Sequence, residues 1–136
     1  MEKALKYLEE KGCTCVATNG TNLYFSHLRG VAPLLAWYDE KVNISGYSVA
    51  DKVVGKGASF LYALLGVKEV YAKIISRSAL QVLRRYGIEV EYFELADYII
   101  NRKGDGRCPI ETALDTTCDK EGALEKIRLT LVKLKE

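Results

Sequence analysis

Apolar and polar positions near the start of the chain follow a helical period and then an extended one. Residues 2–11 place apolar side chains on one helical stripe, and Gly12 is a typical residue to end that helix. Residues 13–17 alternate as a strand does, Asn19-Gly20 is a strong hairpin signal, and residues 23–28 are the returning strand. The chain is therefore predicted to open with a helix followed by an antiparallel hairpin.

The next two apolar segments are predicted to be helices. Residues 31–38 carry Pro33 in the first turn of a short helix. Ser48-Val49-Ala50-Asp51 has the spacing of a capping box, in which a hydroxyl and an acidic side chain satisfy free amides at a helix start. We expect the helix that follows to run to about Leu65 and to end at Gly66. Its predicted apolar stripe consists of Val49, Val53, Phe60, Leu61 and Leu64.

Residues 67–95 have the pattern of a strand, a helix and a second strand joined by short connections. Residues 67–75 are rich in β-branched side chains and alternate only in part, which is typical of a strand buried on both faces. Residues 76–86 have a helical pattern that ends at Gly87, and residues 88–95 are predicted to be the second strand. This order implies a pair of parallel strands with a helical crossover.

Two further helices are predicted after a polar loop, one from Pro109 to about Thr116 and one over the last part of the sequence. The last helix carries a heptad-like seam formed by Leu124, Ile127, Leu131 and Leu134. We expect that seam to be core, and the helix is also the candidate surface for a homo-oligomer. The complete pattern favours one domain over residues 1–136. Its predicted fold is an α/β, three-layer α/β/α sandwich with a mixed sheet that opens with the antiparallel hairpin.

Charge and composition exclude several classes of function. The 136 residues include 20 basic and 18 acidic side chains, and the net charge of +2 does not suit a protein that binds duplex nucleic acid. No apolar run approaches the roughly 20 residues of a membrane span, so we expect a cytoplasmic protein with no membrane partner. The four cysteines are expected to be free thiols in that compartment.

The first candidate for chemistry is the segment from Asp51 to Gly57. Lys52 and Lys56 are one helical turn apart, and Gly55 lies between them in the predicted helix. A glycine inside a helix costs about 1 kcal/mol relative to alanine, so two glycines here require a reason. Either another backbone packs very closely against them or a ligand does. The spacing does not match a phosphate-binding loop.

The second candidate is the loop Gly104-Asp105-Gly106-Arg107-Cys108-Pro109-Ile110-Glu111. Pro109 suits the first position of a helix, and Glu111 is placed to accept from free amides there. Cys108 would then lie near the positive end of the helix dipole beside Arg107, which favours a thiolate, although most buried cysteines are inert. Asn101 and Arg102 add hydrogen-bond donors for an anion.

Metal chemistry lacks its usual residues in this sequence. His27 is the single histidine and there is no Cys-x-x-Cys pair, so we expect no metal and no cofactor. Ser76 and Ser78 stand between a predicted strand and its following helix, which is the usual ligand crevice of an α/β sheet. Either serine has the alternative role of a helix cap.

The chain resembles a family of small bacterial and archaeal proteins known as a domain of unknown function. The residues that carry the resemblance are Asp51, Lys52, Gly55, Lys56, Asn101, Arg102, Cys108, Pro109 and Glu111. The resemblance implies a cytidine-deaminase-like fold. It also implies that zinc-dependent deamination is lost, because His-x-Glu and Pro-Cys-x-x-Cys are missing. Their places are taken here by Asp51-Lys52 up to Gly55, and by Ser76-Arg77-Ser78-Ala79.

Our leading hypothesis is a metal-free, deaminase-like protein that binds a small nucleotide-like or other anionic metabolite. Its single pocket would lie between the Asp51 helix, the Ser76–Ser78 turn and the Cys108 loop. The predicted ligand-binding residues are Lys52, Gly55, Lys56, Ser76, Ser78, Asn101 and Arg102.

Two alternatives differ in class from a binding protein. One is an enzyme with Cys108 as nucleophile or thiol carrier and Glu111 or Asp51 as proton acceptor. The other is a non-catalytic interaction module, in which these residues only pack.

Overall fold

The computed structural model of the chain describes residues 1–28, 30–100, 104 and 106–135, with the side chain of Lys135 excepted. The helices are α1 (Glu2–Lys11), α2 (Ala32–Asp39), α3 (Lys56–Leu65), α4 (Arg77–Arg85), α5 (Pro109–Ala113) and α6 (Lys120–Lys135). The strands are β1 (Cys15–Thr18), β2 (Leu23–Ser26), β3 (Ser48–Val54), β4 (Glu69–Ser76) and β5 (Glu89–Ala96).

The described strands form one mixed sheet of five strands in the order β2-β1-β3-β4-β5. Strand β1 runs antiparallel to both β2 and β3, whereas β3, β4 and β5 are mutually parallel. The Asn19 side chain closes the hairpin, since its Oδ1 accepts from the amides of Thr21 and Asn22 at 2.9 and 2.6 Å. The predictions of an opening hairpin and a parallel pair are confirmed.

The segment from Ser48 to Val54 corrects one prediction, because it is a strand and not the first half of a helix. It pairs along one side with β1 and along the other with β4, so its backbone groups are satisfied by the sheet. Three valines in seven residues also favour a strand, and this tertiary pairing overrides the local capping signal. The helix starts only at Lys56, after Gly55 in an extended conformation.

Most other boundaries agree with the sequence pattern within two residues. Helices α1 and α3 end at Gly12 and Gly66, which both adopt the left-handed conformation expected of a glycine at a helix end. Helix α5 is shorter than predicted, since it ends at Ala113 and a turn follows.

The two faces of the sheet are covered by different helices. Helix α1 packs Ala4 and Leu8 against Val16 and Ala50 on one face. Helices α2, α3, α4, α5 and α6 bury their apolar side chains together with the other face in a larger core. The arrangement is the predicted three-layer sandwich. Ile127 of α6 is fully buried in that core, but Leu134 of the predicted seam is exposed.

Candidate functional site

The carboxyl ends of the parallel strands β3 and β4 lead directly into α3 and α4. Gly55 is the N-terminal boundary residue of α3 and has no side chain to cap it. Ser76 caps α4, because its Oγ accepts from the amide of Ala79 at 3.2 Å. Two helix N-termini, each with a partial positive charge, therefore face the same edge of the sheet.

Glu111 lies at this edge and is only 2% exposed. Its Oε2 accepts from the amide of Ile99 at 2.5 Å, and its Oε1 accepts from the hydroxyl of Ser78 at 3.2 Å. The Oγ atoms of Ser76 and Ser78 are 3.3 Å apart. The structure thus brings together three residues that the sequence marked as candidates, and Glu111 holds the Ile99 backbone against the start of α4.

The two glycines at the start of α3 are explained by close packing. A Cβ on Gly55 would lie 3.2 Å from Cγ1 of Ile99 and 3.7 Å from Cδ of Glu111. A Cβ on Gly57 would lie 2.6 Å from Cγ2 of Ile110, a distance that real side chains do not tolerate. The neighbours that fill this space are side chains, mainly from α5 and the segment before it, and not the second backbone that the sequence analysis offered as an explanation.

A cleft of about 250 Å³ opens beside this cluster, between the start of α3, the outer side of α4 and the turn before α6. We call it the Lys56–Arg85 cleft. It is lined by Lys56, Ser78, Gln81, Val82, Arg85, Asp115, Thr116, Thr117 and Cys118.

Both cations of this cleft are bound to carbonyl oxygens. Nζ of Lys56 donates to the carbonyl oxygen of Asp115 at 3.3 Å, and the Arg85 guanidinium donates to that of Cys118. The carboxylate of Asp115 instead accepts two hydrogen bonds from Arg107, at 2.7 and 3.3 Å. Among the described residues, neither Lys56 nor Arg85 forms an ion pair. The cleft therefore carries positive charge that its own carboxylate does not neutralise.

Thr117 adds an unsatisfied polar group to the same cleft. The residue is 7% exposed, and its buried Oγ1 has no hydrogen-bond partner within the described part of the chain. A buried hydroxyl without a partner costs about 1–3 kcal/mol, so such groups require an explanation.

Asp51 and Lys52 belong to a different cleft. Together with Thr14, Cys15, Leu28, Gly30, Pro33 and Val53 they line a space of about 330 Å³, which we call the Asp51 cleft. Among the described residues, none lines both clefts. Residues predicted to line one pocket thus lie in two clefts, and Cys108 is not among the described lining residues of either. Asp51-Lys52 lies within β3 and not at a helix start.

The surroundings of Asp51 are strongly desolvated. Burial raises the pKa of its carboxyl from 3.8 to about 7, against the lowering effect of hydrogen bonds from Tyr62 and from backbone amides. Its neighbour Cys15 also has a pKa raised well above 9.0, chiefly by burial. Cys15 is therefore a protonated, unreactive thiol at neutral pH.

Cys108 is the boundary residue before α5 and is half-buried against the core. Its amide donates to the carbonyl oxygen of Ile99 at 2.8 Å. Helix α5, which follows it, has only five residues. No hydrogen bond between described residues joins Cys108 to Asp51 or Glu111, and its role as a nucleophile stays a prediction. Asn101 and Arg102 lie outside the described residues.

Metal-ligating side chains are dispersed where the structure describes them. Across those residues, no group of three or more His, Cys, Asp and Glu side chains is arranged to hold a metal ion. His27 is exposed and its ring lies edge-on to Phe25 at 5.8 Å between centroids. No described helix is long and apolar enough to cross a membrane.

The profile of the DUF1893 family, described as a domain of unknown function, matches residues 3–131. The chain belongs to this family. A solved structure of a DUF1893 family protein, TM1506 from Thermotoga maritima, superposes with a TM-score of 0.85. Its sequence is 30% identical, and the match covers 97% of this chain and 88% of that chain. No curated protein matches the chain in sequence.

Two deaminase structures show a weaker likeness to this DUF1893 chain. The diaminohydroxyphosphoribosylaminopyrimidine deaminase/5-amino-6-(5-phosphoribosylamino)uracil reductase from Thermotoga maritima has a TM-score of 0.46 and 12% identity, over 68% of this chain and 35% of that chain. The dCMP deaminase from cyanophage S-TIM5 has a TM-score of 0.45 and 16% identity, over 71% of this chain and 93% of that chain. Likenesses of this strength carry no argument about the activity of the DUF1893 family.

The sequence does not single out three residues that bear on the clefts, namely Arg85, Thr117 and Tyr62, the last of which is the hydrogen-bond partner of Asp51. Arg85 is one of two adjacent arginines in the last turn of α4, and the sequence alone does not distinguish it from Arg84. Thr117 and Tyr62 carry no such signal, because nothing in the local sequence indicates which buried hydroxyls have partners.

Proposed function

We propose that this DUF1893 protein binds a small phosphate-bearing metabolite, of the nucleotide or sugar-phosphate class, in the Lys56–Arg85 cleft. The observation that carries the proposal is the pair of cations with no acidic partner among the described residues. Carbonyl oxygens orient Lys56 and Arg85 without cancelling their charge. A phosphate group can accept further hydrogen bonds from both, and such charge-assisted bonds are short and strong.

Arg85 packs against two aromatic rings, which favours recognition over a freely moving surface charge. Its guanidinium lies 5.2 Å from the ring centroid of Tyr86 and 5.9 Å from that of Phe60. Stacking against aromatic rings restricts the guanidinium plane, so less conformational entropy is lost when a phosphate binds.

The N-terminal ends of α3 and α4 supply additional positive electrostatic potential to the same cleft. Lys56 is the first residue of α3, and Ser78 is the second residue of α4. Phosphates bind readily at helix N-termini, where backbone amides are free and the helix dipole is positive. The hydroxyl of Thr117 adds a neutral donor, and a ligand in the cleft would supply the partner that it lacks among the described residues.

The proposed binding needs no metal ion. Side-chain cations, hydroxyls and helix amides provide the contacts that magnesium provides in many nucleotide sites. Asp115 remains neutralised by Arg107, so it does not repel an incoming phosphate strongly.

A thermal-shift screen tests this function with matched pairs of compounds. We expect inorganic phosphate, nucleoside monophosphates and sugar phosphates to raise the melting temperature, whereas the corresponding nucleosides and free sugars leave it unchanged. A ligand at about 100 times its dissociation constant stabilises by about 2.7 kcal/mol, which shifts the melting temperature of a chain this size by several degrees. Absence of any shift by every phosphorylated compound, or equal shifts by the unphosphorylated partners, would contradict the proposal.

A further inference from the structure

The Asp51 cleft lies on the face of the sheet covered by α3, where the beginning of β1 is next to the second half of β3. Cys15 is paired with Asp51 across these antiparallel strands. The polar side chains that line the cleft are Thr14, Asp51 and Lys52, and the apolar ones include Pro33 and Val53. None of the residues of the Lys56–Arg85 cleft takes part, so this space is independent of the function proposed above.

Asp51 is a charged side chain in the middle of a central strand and is only 6% exposed. Its Oδ2 accepts from the hydroxyl of Tyr62 at 2.5 Å, and its Oδ1 accepts from the amide of Val53 at 3.2 Å. No described cation forms an ion pair with it. An apolar residue at this position would avoid the cost of burying a carboxyl. Departures of this kind from the pattern of apolar side chains in a buried strand are expected at functional sites.

The hydrogen bonds of Asp51 leave part of its acceptor capacity unused. A carboxylate has about four lone-pair positions, and hydrogen bonds from Tyr62 and from the amides of Val53 and Lys52 use at most three of them. Tyr62 is fully buried, and burial raises its pKa well above 10.0, so it remains a donor to Asp51 at neutral pH. The carboxyl is thereby held in one orientation at the floor of a cleft.

We propose that the Asp51 cleft is a second ligand site, which takes a small neutral molecule with an N–H or O–H donor beside an apolar body. The donor group binds the Asp51 carboxyl, and the apolar part lies against Pro33 and Val53. A site built around one buried polar group discriminates strongly against analogues that lack the matching hydrogen, because the carboxyl is then left unsatisfied.

Two probes that share an aromatic ring and a carbonyl group, but differ in whether they carry an N–H donor, test this site on the wild-type protein. Benzamide carries an amide N–H₂ on an apolar ring, and N,N-dimethylbenzamide keeps the ring and carbonyl but has no donor. In amide NMR titrations we expect benzamide to shift resonances of Thr14, Cys15 and Lys52 with a dissociation constant of about 1 mM, and the dimethyl analogue to bind at least about tenfold more weakly.

Variants separate the carboxyl from the rest of the cleft. Asp51→Asn is expected to reduce benzamide affinity several-fold, and Lys56→Gln, in the other cleft, is the matched control that leaves it unchanged. Equal binding of the two probes to the wild-type protein would overturn the proposal, as would shifts that map outside the Asp51 cleft or no shifts at about 10 mM probe. Because the probe comparison uses the native chain, it stays decisive even if Asp51→Asn does not fold.

Discussion

The hydroxyl of Tyr62 in α3 donates a hydrogen bond of 2.5 Å to Oδ2 of Asp51 in β3. This contact joins the helix layer to the central strand through two polar groups in an otherwise apolar interface. Burial makes the charged form of the carboxyl costly, and its pKa in the folded protein is about 7. The consequence is a stability that depends on pH in an unusual direction.

The contribution of Asp51 to the stability of the folded protein should fall as pH rises from about 4 to about 7. Below pH 3.8 the Asp51 carboxyl is protonated in both states, whereas between 3.8 and about 7 only the folded state keeps the proton. A pKa difference of about three units corresponds to roughly 4 kcal/mol of stability that is present at the acidic end and lost at the neutral end. Urea unfolding of the wild type and of Asp51→Asn at several pH values measures this difference.

The asparagine variant provides the reference because it has no proton to lose. The free energy of unfolding of the wild type minus that of Asp51→Asn should fall by up to about 1.4 kcal/mol per pH unit in this range. Parallel pH profiles for the two proteins would show that Asp51 titrates normally.

Gly57→Ala should destabilise the protein by about 1–3 kcal/mol, in spite of the higher helix propensity of alanine. The new methyl group would lie 2.6 Å from Cγ2 of Ile110 and 3.1 Å from Cγ1 of Val31, and both side chains are buried. Thermal or urea unfolding gives the change directly.

Gly122→Ala is the matched control for a helical glycine. Its new methyl group would meet only the end of the Asp119 side chain, which is exposed and free to move. We expect a neutral effect or a gain of up to about 1 kcal/mol. If both variants change stability equally, packing at Gly57 does not explain that glycine.

Glu111→Ala should cost about 3 kcal/mol, because it leaves the Ile99 amide without its acceptor and opens a cavity beside Gly55. Glu111→Gln keeps the shape and one acceptor oxygen, so its expected cost is only about 1 kcal/mol. Glu125→Ala, at an exposed position of α6, serves as the control and should change stability by less than about 0.5 kcal/mol. Equal effects of the glutamine and alanine variants would contradict the hydrogen-bonding role.

The four cysteines should react with an alkylating reagent in the order of their exposure. Cys118 is exposed and lines the Lys56–Arg85 cleft, Cys108 is half-buried, and Cys13 and Cys15 are buried. Mass spectrometry of native protein should find Cys118 modified first, and Cys13 and Cys15 modified only after unfolding. A bound phosphate compound should slow the reaction at Cys118 and leave the reaction at Cys108 unaffected. Early modification of Cys13 would contradict the predicted order and show that the core beneath α1 opens readily.

The period of apolar residues predicted most of the fold because, in most elements, the local sequence pattern agrees with the structure that the segment adopts. Helix α4 and strand β5 combine a clear pattern with a glycine or serine at their boundaries. The prediction for residues 48–54 was wrong because Ser48 and Asp51 have the spacing of a capping box. Only the pairing with β1 and β4 decides between strand and helix. That pairing is a property of the whole sheet and has no local signature.

The sequence predicted several residues of the candidate site but not which of them lie together. Ser76, Ser78 and Glu111 do converge, since strand ends and helix starts meet at one edge of a parallel sheet. Asp51 was assigned to the same pocket because the helix expected there would have carried it beside Lys56. Arg85, in the last turn of α4, and Thr117, in the segment before α6, also line the Lys56–Arg85 cleft. Both are far from Lys56 in the sequence, so only the folded chain brings them together.

Calorimetric titration of adenosine monophosphate decides whether Lys56 and Arg85 bind a phosphate group. Wild-type protein should bind the nucleotide and not adenosine, and Lys56→Gln and Arg85→Gln should each weaken binding by about tenfold or more. Arg84→Gln removes an exposed neighbouring arginine that does not line the cleft, and it should bind as the wild type does. Equal affinities of all four proteins for the nucleotide, or no detectable binding of any phosphate compound, would contradict the account.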